Sequence, residues 1–568
     1  MKKFRWQLLI ILVTGLIVGI LLILQQVGDG EEVERTPSPI TGGVYTEALI
    51  GEFMRLNPFL DIYNTPDHAV DQLIFNSLVS FDSRGIPQTE LAESWGVSKD
   101  GTVYNFSLRD DVFWHDGEAF DSRDVLFTIG LLQSGHSLIP DDLRNFWSEV
   151  EVVALSETQL QFLLPEPFAP FLDYLTIGIL PEHLLSGMVI EEMIDDPFNL
   201  TPVGTGPFRF QRLLVENDQI VGVVLEAFDG YYLERPYLDE FIFRYYQSSD
   251  DALTAYHTGE VEGIGRVEDS ILADVLAEPG LAIYTAREPL LTMAYLNLGN
   301  PEISFLQDPD FRRAMMQSID RSSIVECIFN SQAVIANGPI MPGTWAYYTD
   351  LQKIEYNPVE AESLFESTGV LFDEDQDLYL TEDSLEVGLT LLHPDTQQLT
   401  EIAELIQVYW QALGIRVELD AKPYEEVLDD LQARDYEAAL VEINLTRSPD
   451  PDPYPFWGQA QIQSGQNYAD WDNRSASEFL EQARMTVDLT ERERLYRNFQ
   501  VLFMNELPSF PLFYSVYTYA ITDEINGVNL GPIFEPADRF SNVHDWFILS
   551  AQDLSPTQVV DVTNTPEE

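Results

Sequence analysis

Between Leu399 and Leu413 the apolar residues Leu399, Ile402, Leu405, Ile406, Tyr409, Trp410 and Leu413 recur at steps of three and four. That period puts them on one face of a helix. Gly414 follows at the place where a left-handed residue closes a helix. Ile415, Val417 and Leu419 then alternate with other residues, as in a half-buried strand. The succession repeats with a helix expected near Tyr424–Ala433 and a strand near Ala438–Ile443. Earlier, Thr102–Leu108 alternates polar and apolar, and the Lys99-Asp100-Gly101 turn joins it to Trp95–Val97 as a hairpin. Asp116-Gly117 marks a turn, and Asp121–Asp124 offers a cap and a first-turn acid to a helix ending near Leu132. A single helix is expected over Phe311–Phe329. Another is expected to open on a Thr490/Glu493 capping box and run to about Met504, and a strand should follow over Phe510–Ile521. Strands and helices in alternation predict mixed α/β layers.

One segment has no polar face. Lys2, Lys3 and Arg5 precede Leu8–Leu24, 17 residues without a charge. A spanning helix needs about 17–25 residues, whereas the apolar part of a cleaved leader has about 7–15. No small-residue cleavage site follows, so an uncleaved signal anchor is expected, with the rest of the chain facing outward; a cleaved leader with an atypical site is the alternative. Residues 31–41 read as a Ser/Thr/Pro-rich tether and 551–568 as a disordered tail.

Composition changes the picture through charge. The 568 residues carry 95 acids against 30 bases, a formal −65. Such a field repels phosphate backbones and excludes nucleic-acid binding. The length suggests two to four domains. One cysteine, Cys327, excludes an internal disulfide and any paired-cysteine metal or redox site; it reads as a small buried hydrophobe. The seven histidines stand apart, without zinc-protease spacing. There is no nucleophile elbow and no nucleotide-binding loop. Asp373, Asp375 and Asp377 begin like a calcium loop, but Leu378 takes the place of its glycine and Ser384 that of its bidentate acid. No catalytic residue, metal ligand or cofactor emerges, and a large outward-facing α/β protein of this kind favours binding over turnover.

Several segments resemble the family 5 extracellular solute-binding proteins of ABC transporters, the group of peptide-, oligopeptide- and nickel-binding proteins. They are Leu56-Asn57-Pro58, Phe75–Val79, the long stretch Leu91–Phe127, Gly204–Phe208, Gly259–Glu262, Asp310–Ala314 with Ile319-Asp320-Arg321, and Ala403–Val417. Each is weak alone; seven in order are specific. The resemblance implies a two-lobed periplasmic-binding-protein-like fold of type II with a small subdomain in the first lobe. It implies residues 1–30 as anchor or signal segment, 31–41 as linker, 42–290 as lobe I with a subdomain over 84–201, 291–520 as lobe II, and 521–550 as the return to lobe I. Arg109 and Arg321 are expected to pin loops through carbonyls.

It also implies a ligand site. Pro449 to Trp457 holds alternate prolines that fix φ and make a rigid extended loop. Asp450 and Asp452 both match the aspartate that holds a peptide's ammonium in the family, and the alignment leaves the two open. Tyr454 and Trp457 would wall a side-chain pocket, and Asn297, Asn467 and Tyr468 would lie near the ligand. The expected function is capture of peptides and delivery to a permease and ATPase by a monomer on the outer face of the cytoplasmic membrane. Other solutes (an oligosaccharide, an opine, a metal chelate), a sensor, and an extracellular hydrolase stay open as alternatives.

Overall fold

The structure is a computed structural model that describes residues 39–549, apart from 375–377, 382–384 and 446–447. The expected anchor Leu8–Leu24, the tail from 551, and Asp375, Asp377 and Ser384 of the acidic turn lie outside the described residues. No described helix is long and apolar enough to cross a membrane. The chain divides into two units. In the smaller one, Ile40 and Ile548 form an antiparallel bridge. The larger runs from Thr41 to Phe547.

At the centre of this larger unit is an eleven-stranded sheet. Two long strands, Leu281–Leu296 and Ser509–Thr522, pair antiparallel in the middle. On one flank, Leu290–Leu296 pairs with Ala438–Asn444, followed by Gly388–Pro394 and Arg416–Lys422. On the other, Ala520 and Ile521 pair with Gly263–Ile264, followed by Val44–Ile50, Glu240–Tyr246, Gln219–Ala227 and Phe208–Glu216. The register of the two long strands shifts between Arg287 and Leu291. Pro289 lies in that interval and has no N–H to give the ladder. A separate four-stranded sheet, Ala92–Val97, Val103–Leu108, Gln159–Leu163 and Glu151–Ser156, builds a small subdomain.

Each flank has its own core. The helix Gln397–Leu413 buries Leu399, Ile402, Ile406, Trp410 and Leu413, as its period predicts, and Gly414 closes it at φ 100°. Its Trp410 indole donates to the Met315 carbonyl at 3.3 Å. On the other flank, Tyr45, Phe241, Phe540 and Trp546 interlock edge to face and tilted. Arginines join distant segments inside these cores. Arg539 gives Nε and Nη2 to Glu47 Oε1, while the Tyr519 hydroxyl donates to Glu47 Oε2. Arg321 donates to the Ala336, Ile354 and Pro511 carbonyls, and Arg109 to that of Glu90. At Gly204 a Cβ would overlap the Ile74 carbonyl, so only glycine lets that turn close on the helix Thr65–Ile74.

The structure departs from the sequence pattern in three places. The helix expected over Phe311–Phe329 is two, Pro309–Ser318 and Arg321–Cys327. Ile319 is extended between them, and the Asp320 carboxylate caps the second by accepting from the Ser323 N–H at 3.0 Å. Cys327 is exposed, because the buried positions of its short helix are Arg321 and Ile324. The helix Leu489–Glu506 is capped by Asp488, whose carboxylate accepts from Glu491 N–H, two residues before the expected box.

Candidate functional site

The helix Thr65–Ile74 starts on Asn64, whose side chain accepts from the Asp67 N–H, with Pro66 in the first turn. Its inner face buries Ala69, Val70, Leu73 and Ile74, and among them two acids, Asp67 and Asp71. Asp67 is fully engaged: it accepts from the Met54 and Arg55 N–H groups, from the Asn64 amide and from the Tyr245 hydroxyl. Asp71, 2% exposed, has the Asp61 carboxyl and the Asn57 N–H beside its own carboxyl. Asp71 faces a cavity of about 540 Å³. The walls are this helix, the hairpin Val79–Thr89, Trp147, the short turn Ala169–Leu175, Tyr231 and Tyr232, the segment from Phe534 to His544, and Pro449 of the proline-rich loop.

The proline-rich loop meets this cavity beside Asp173. The Asp450 N–H donates to Asp173 Oδ2 at 2.9 Å, and Asp173 is a cavity wall residue. Asp450 itself is saturated. Its carboxylate takes Arg492 Nη1 at 2.5 Å and Nη2 at 2.8 Å, the Asp452 N–H at 3.2 Å and the Tyr496 hydroxyl at 3.4 Å. Asp452 Oδ2 accepts from Arg484 Nε at 3.0 Å, and its buried Oδ1 has no partner. Arg484 lies over the Tyr454 ring at 4.7 Å and the Phe168 ring at 5.1 Å. Three carboxylates therefore share two guanidinium groups. Burial, then Asp450, pushes the Asp173 carboxyl well above the usual range; burial holds Asp452 at about 6 despite Arg484.

The other residues expected at the site are placed differently. The loop expected to be extended bends at Asp450 and has no regular structure as far as Pro453, and Tyr454–Trp457 is a turn of helix, since the φ that proline fixes is also helical. Trp457 is 2% exposed and stacks on Tyr295 within the core. Asn297 donates to the Arg434 and Tyr436 carbonyls, and Asn467 to those of Gly458 and Trp471. Tyr468 is half-buried beneath Arg434. None of the seven residues expected at the site, Asp450 and Asp452 included, lines the cavity; of the proline-rich loop only Pro449 does. The sequence reading missed Asp61, Asp71, Asp173, Arg484 and Arg492. Its one available signal was Asp71, an acid on the apolar face of an amphipathic helix.

A second group of charges lines the cavity. His68 gives Nδ1 to Asp61 at 2.6 Å and Nε2 to Glu535 at 2.9 Å. Asp538 accepts from the Phe534 and Glu535 N–H groups, and burial, then Glu535, raises its carboxyl to about 7. Burial raises Asp67 to about 6, and burial and Asp61 raise Asp71 well above its ordinary value. Between about pH 4 and 7 the folded protein holds protons at these carboxyls that the unfolded chain has released, so folding stability falls as pH rises through 6–7. His115 opposes this, because burial lowers it to about 4. The carboxyls outnumber it, so the melting temperature is expected to be higher at pH 5.5 than at pH 8. A scanning calorimeter checks this, and a melting point that climbs toward pH 8 contradicts it.

The chain is similar to known proteins over most of its length. The family model described as bacterial extracellular solute-binding proteins, family 5 Middle, matches residues 87–464. The dipeptide-binding protein of Escherichia coli K12 is 25% identical over 513 residues, 86% of this chain and 92% of that protein. Di/tripeptide-binding protein 2 of Pseudomonas aeruginosa is 28% identical over 503 residues, 83% of this chain and 89% of its own. The solved structure of the oligopeptide-binding protein AppA from Bacillus subtilis, in complex with a nonapeptide, superposes with a TM-score of 0.64 at 22% identity. It covers 90% of this chain and 100% of that one, and it shows the two-lobed fold.

Proposed function

Because the chain belongs to the bacterial extracellular solute-binding proteins of family 5, we propose that it is the receptor of an ABC transporter that captures peptides in this cavity and delivers them to a membrane permease. The relatives named as di- and tripeptide-binding support peptides over other solutes. The observation that carries the reading is the charge count beside the cavity: Asp173, Asp450 and Asp452 against Arg484 and Arg492. Asp173, at a wall the ligand reaches, keeps its proton while no cation is near, and a peptide's terminal ammonium there would let it ionise. Asp450 has no capacity left, which favours Asp173 on the cavity wall, with Asp452 and its buried, unpartnered Oδ1 behind it. The ligand is bound and not turned over; a peptide incubated with the protein should be recovered intact.

Removing one partner of a desolvated charge pair costs about 2–5 kcal/mol. Asp173→Asn and Asp452→Asn are therefore each expected to weaken binding of a free di- or tripeptide by roughly 30-fold or more, read by titration calorimetry. N-acetylated peptides should lose a similar amount on the unaltered protein. Equal affinity for acetylated and free peptides would sink the ammonium anchor and point to a neutral solute.

In this reading the lobes meet at the register break between Arg287 and Leu291 and at the strand return near Ile521. The protein works as a monomer with the transporter's permease and ATPase subunits, held on the outer face of the cytoplasmic membrane through Leu8–Leu24. N-terminal sequencing of the mature protein tests the tether: a chain that starts after Gln25 has lost it.

A further inference from the structure

The hairpin Val79–Thr89 gives Val79–Asp82, Gln88 and Thr89 to the cavity wall, whereas Arg84 and Gly85 at its tip do not line the cavity. The tip is fixed from inside. The Asp82 carboxylate accepts from the Arg84 and Ile86 N–H groups, each at 2.9 Å, and the Gly85 N–H donates to the Asp82 carbonyl at 2.8 Å. Two remote segments then meet it. The Arg84 carbonyl accepts from the Trp345 N–H at 2.8 Å. Gly85 is buried at φ 77°, and a Cβ there would lie 2.7 Å from the Pro449 carbonyl oxygen and 3.1 Å from the Phe534 ring. Only a residue without a side chain allows that approach.

Both contacts lead to Asp450. Pro449 precedes it, and Trp345 lies beneath Arg492, which holds the Asp450 carboxylate. The Asp450 N–H in turn donates to Asp173. In the division into lobes proposed above, the hairpin and Asp173 belong to residues 42–290, and Trp345, Pro449 and Asp450 to residues 291–520. Each of these contacts therefore crosses from one lobe to the other, at the edge of the cavity that Pro449 forms.

We propose that the hairpin tip Arg84-Gly85 is the latch that holds the lobes shut over a bound peptide, and that the missing side chain at Gly85 is what lets it seat. The proposal rests on the peptide reading, but it concerns retention of the ligand and not its recognition. A side chain at Gly85 pushes the tip off Pro449 and weakens the closed state. A ligand meets the open protein unchanged, so the effect falls on its escape.

Stopped-flow tryptophan fluorescence on the full chain, with trialanine as the probe, reads both rates, and Trp147 in the cavity wall is a reporter. Gly85→Ala is expected to speed dissociation by about 10-fold or more and to leave association within about 2-fold. Gly85→Asn is the second variant. Asparagine tolerates a left-handed turn yet carries the same Cβ, so the same rise is expected. Gly259→Ala is the control: Gly259 closes the helix Ser249–Thr258 at φ 75°, and a Cβ there meets nothing within 4 Å. It shares the backbone strain without the contact, and its dissociation rate should stay within about 2-fold of the unaltered protein's. Unchanged dissociation in both Gly85 variants would overturn the latch and leave peptide capture standing. Equal acceleration by Gly259→Ala would overturn it too, since strain alone would then explain the effect. An unaltered protein that binds no trialanine would overturn peptide capture and the latch together.

Discussion

Replacing Arg539 with methionine is expected to lower the unfolding free energy by about 3–5 kcal/mol, the usual cost of removing one partner of a buried ion pair. Glu47 is fully buried and Arg539 is 2% exposed. Without the guanidinium, Glu47 Oε1 loses both of its charged donors, and the Tyr519 hydroxyl at Oε2 cannot replace them. The loss arises from a stranded charge more than from a missing contact. The double variant Glu47→Gln with Arg539→Met should therefore be more stable than Arg539→Met alone. Urea unfolding of both decides it. A single variant that loses less than about 1 kcal/mol, or a double variant no better than the single, refutes the account.

Arg492→Met is expected to cost a similar amount and to weaken ligand capture as well. The Arg492 side chain is 5% exposed and that of Asp450 7%. Beyond that pair, Arg492 donates to the Ala483 carbonyl and the Tyr496 hydroxyl and lies 5.0 Å from the centre of the Trp345 ring. Removing it leaves Asp450 charged and unpaired where the loop meets Asp173. Arg484→Met is the internal control. Its pair with Asp452 is 29% and 17% exposed, so solvent screens it and the loss should be nearer 1 kcal/mol. Equal destabilisation by the two replacements would show that burial does not set the difference.

Local chemistry carried most of the fold in the sequence. The helix Gln397–Leu413, its glycine stop and the strands that follow depend on periods of 3.6 and 2 and on one φ angle, all readable from neighbours in the chain. The departures also have local causes that compete with the period. Asp320 and Asp488 took the capping role from apolar continuity and from Thr490. The family resemblance rested on turns and pinning arginines, and Arg109 and Arg321 bind carbonyls as expected. The site was less legible. Asp173 and Asp450 are 277 residues apart, and whether an aspartate in the proline-rich loop is free depends on Arg484 and Arg492, which no spacing links to it. Asn297 and Asn467 illustrate the converse: an amide suited to a ligand is equally suited to backbone carbonyls, and here it binds those.

The interior placement of arginine has a consequence for the outside. Of only 30 lysines and arginines, Arg312, Arg321, Arg492 and Arg539 are buried, and Arg321 binds carbonyls alone. Acids are buried less often, seven of the 95 among the described residues, so those that face water meet even fewer fixed cations than the composition suggests. Their nearest positive neighbours are dissolved ions held in a layer whose thickness shrinks as salt is added. A cationic solute that enters the protein displaces some of that layer. Its capture is an exchange of one cation for another, and its affinity declines steadily with added salt while that of a neutral solute stays level.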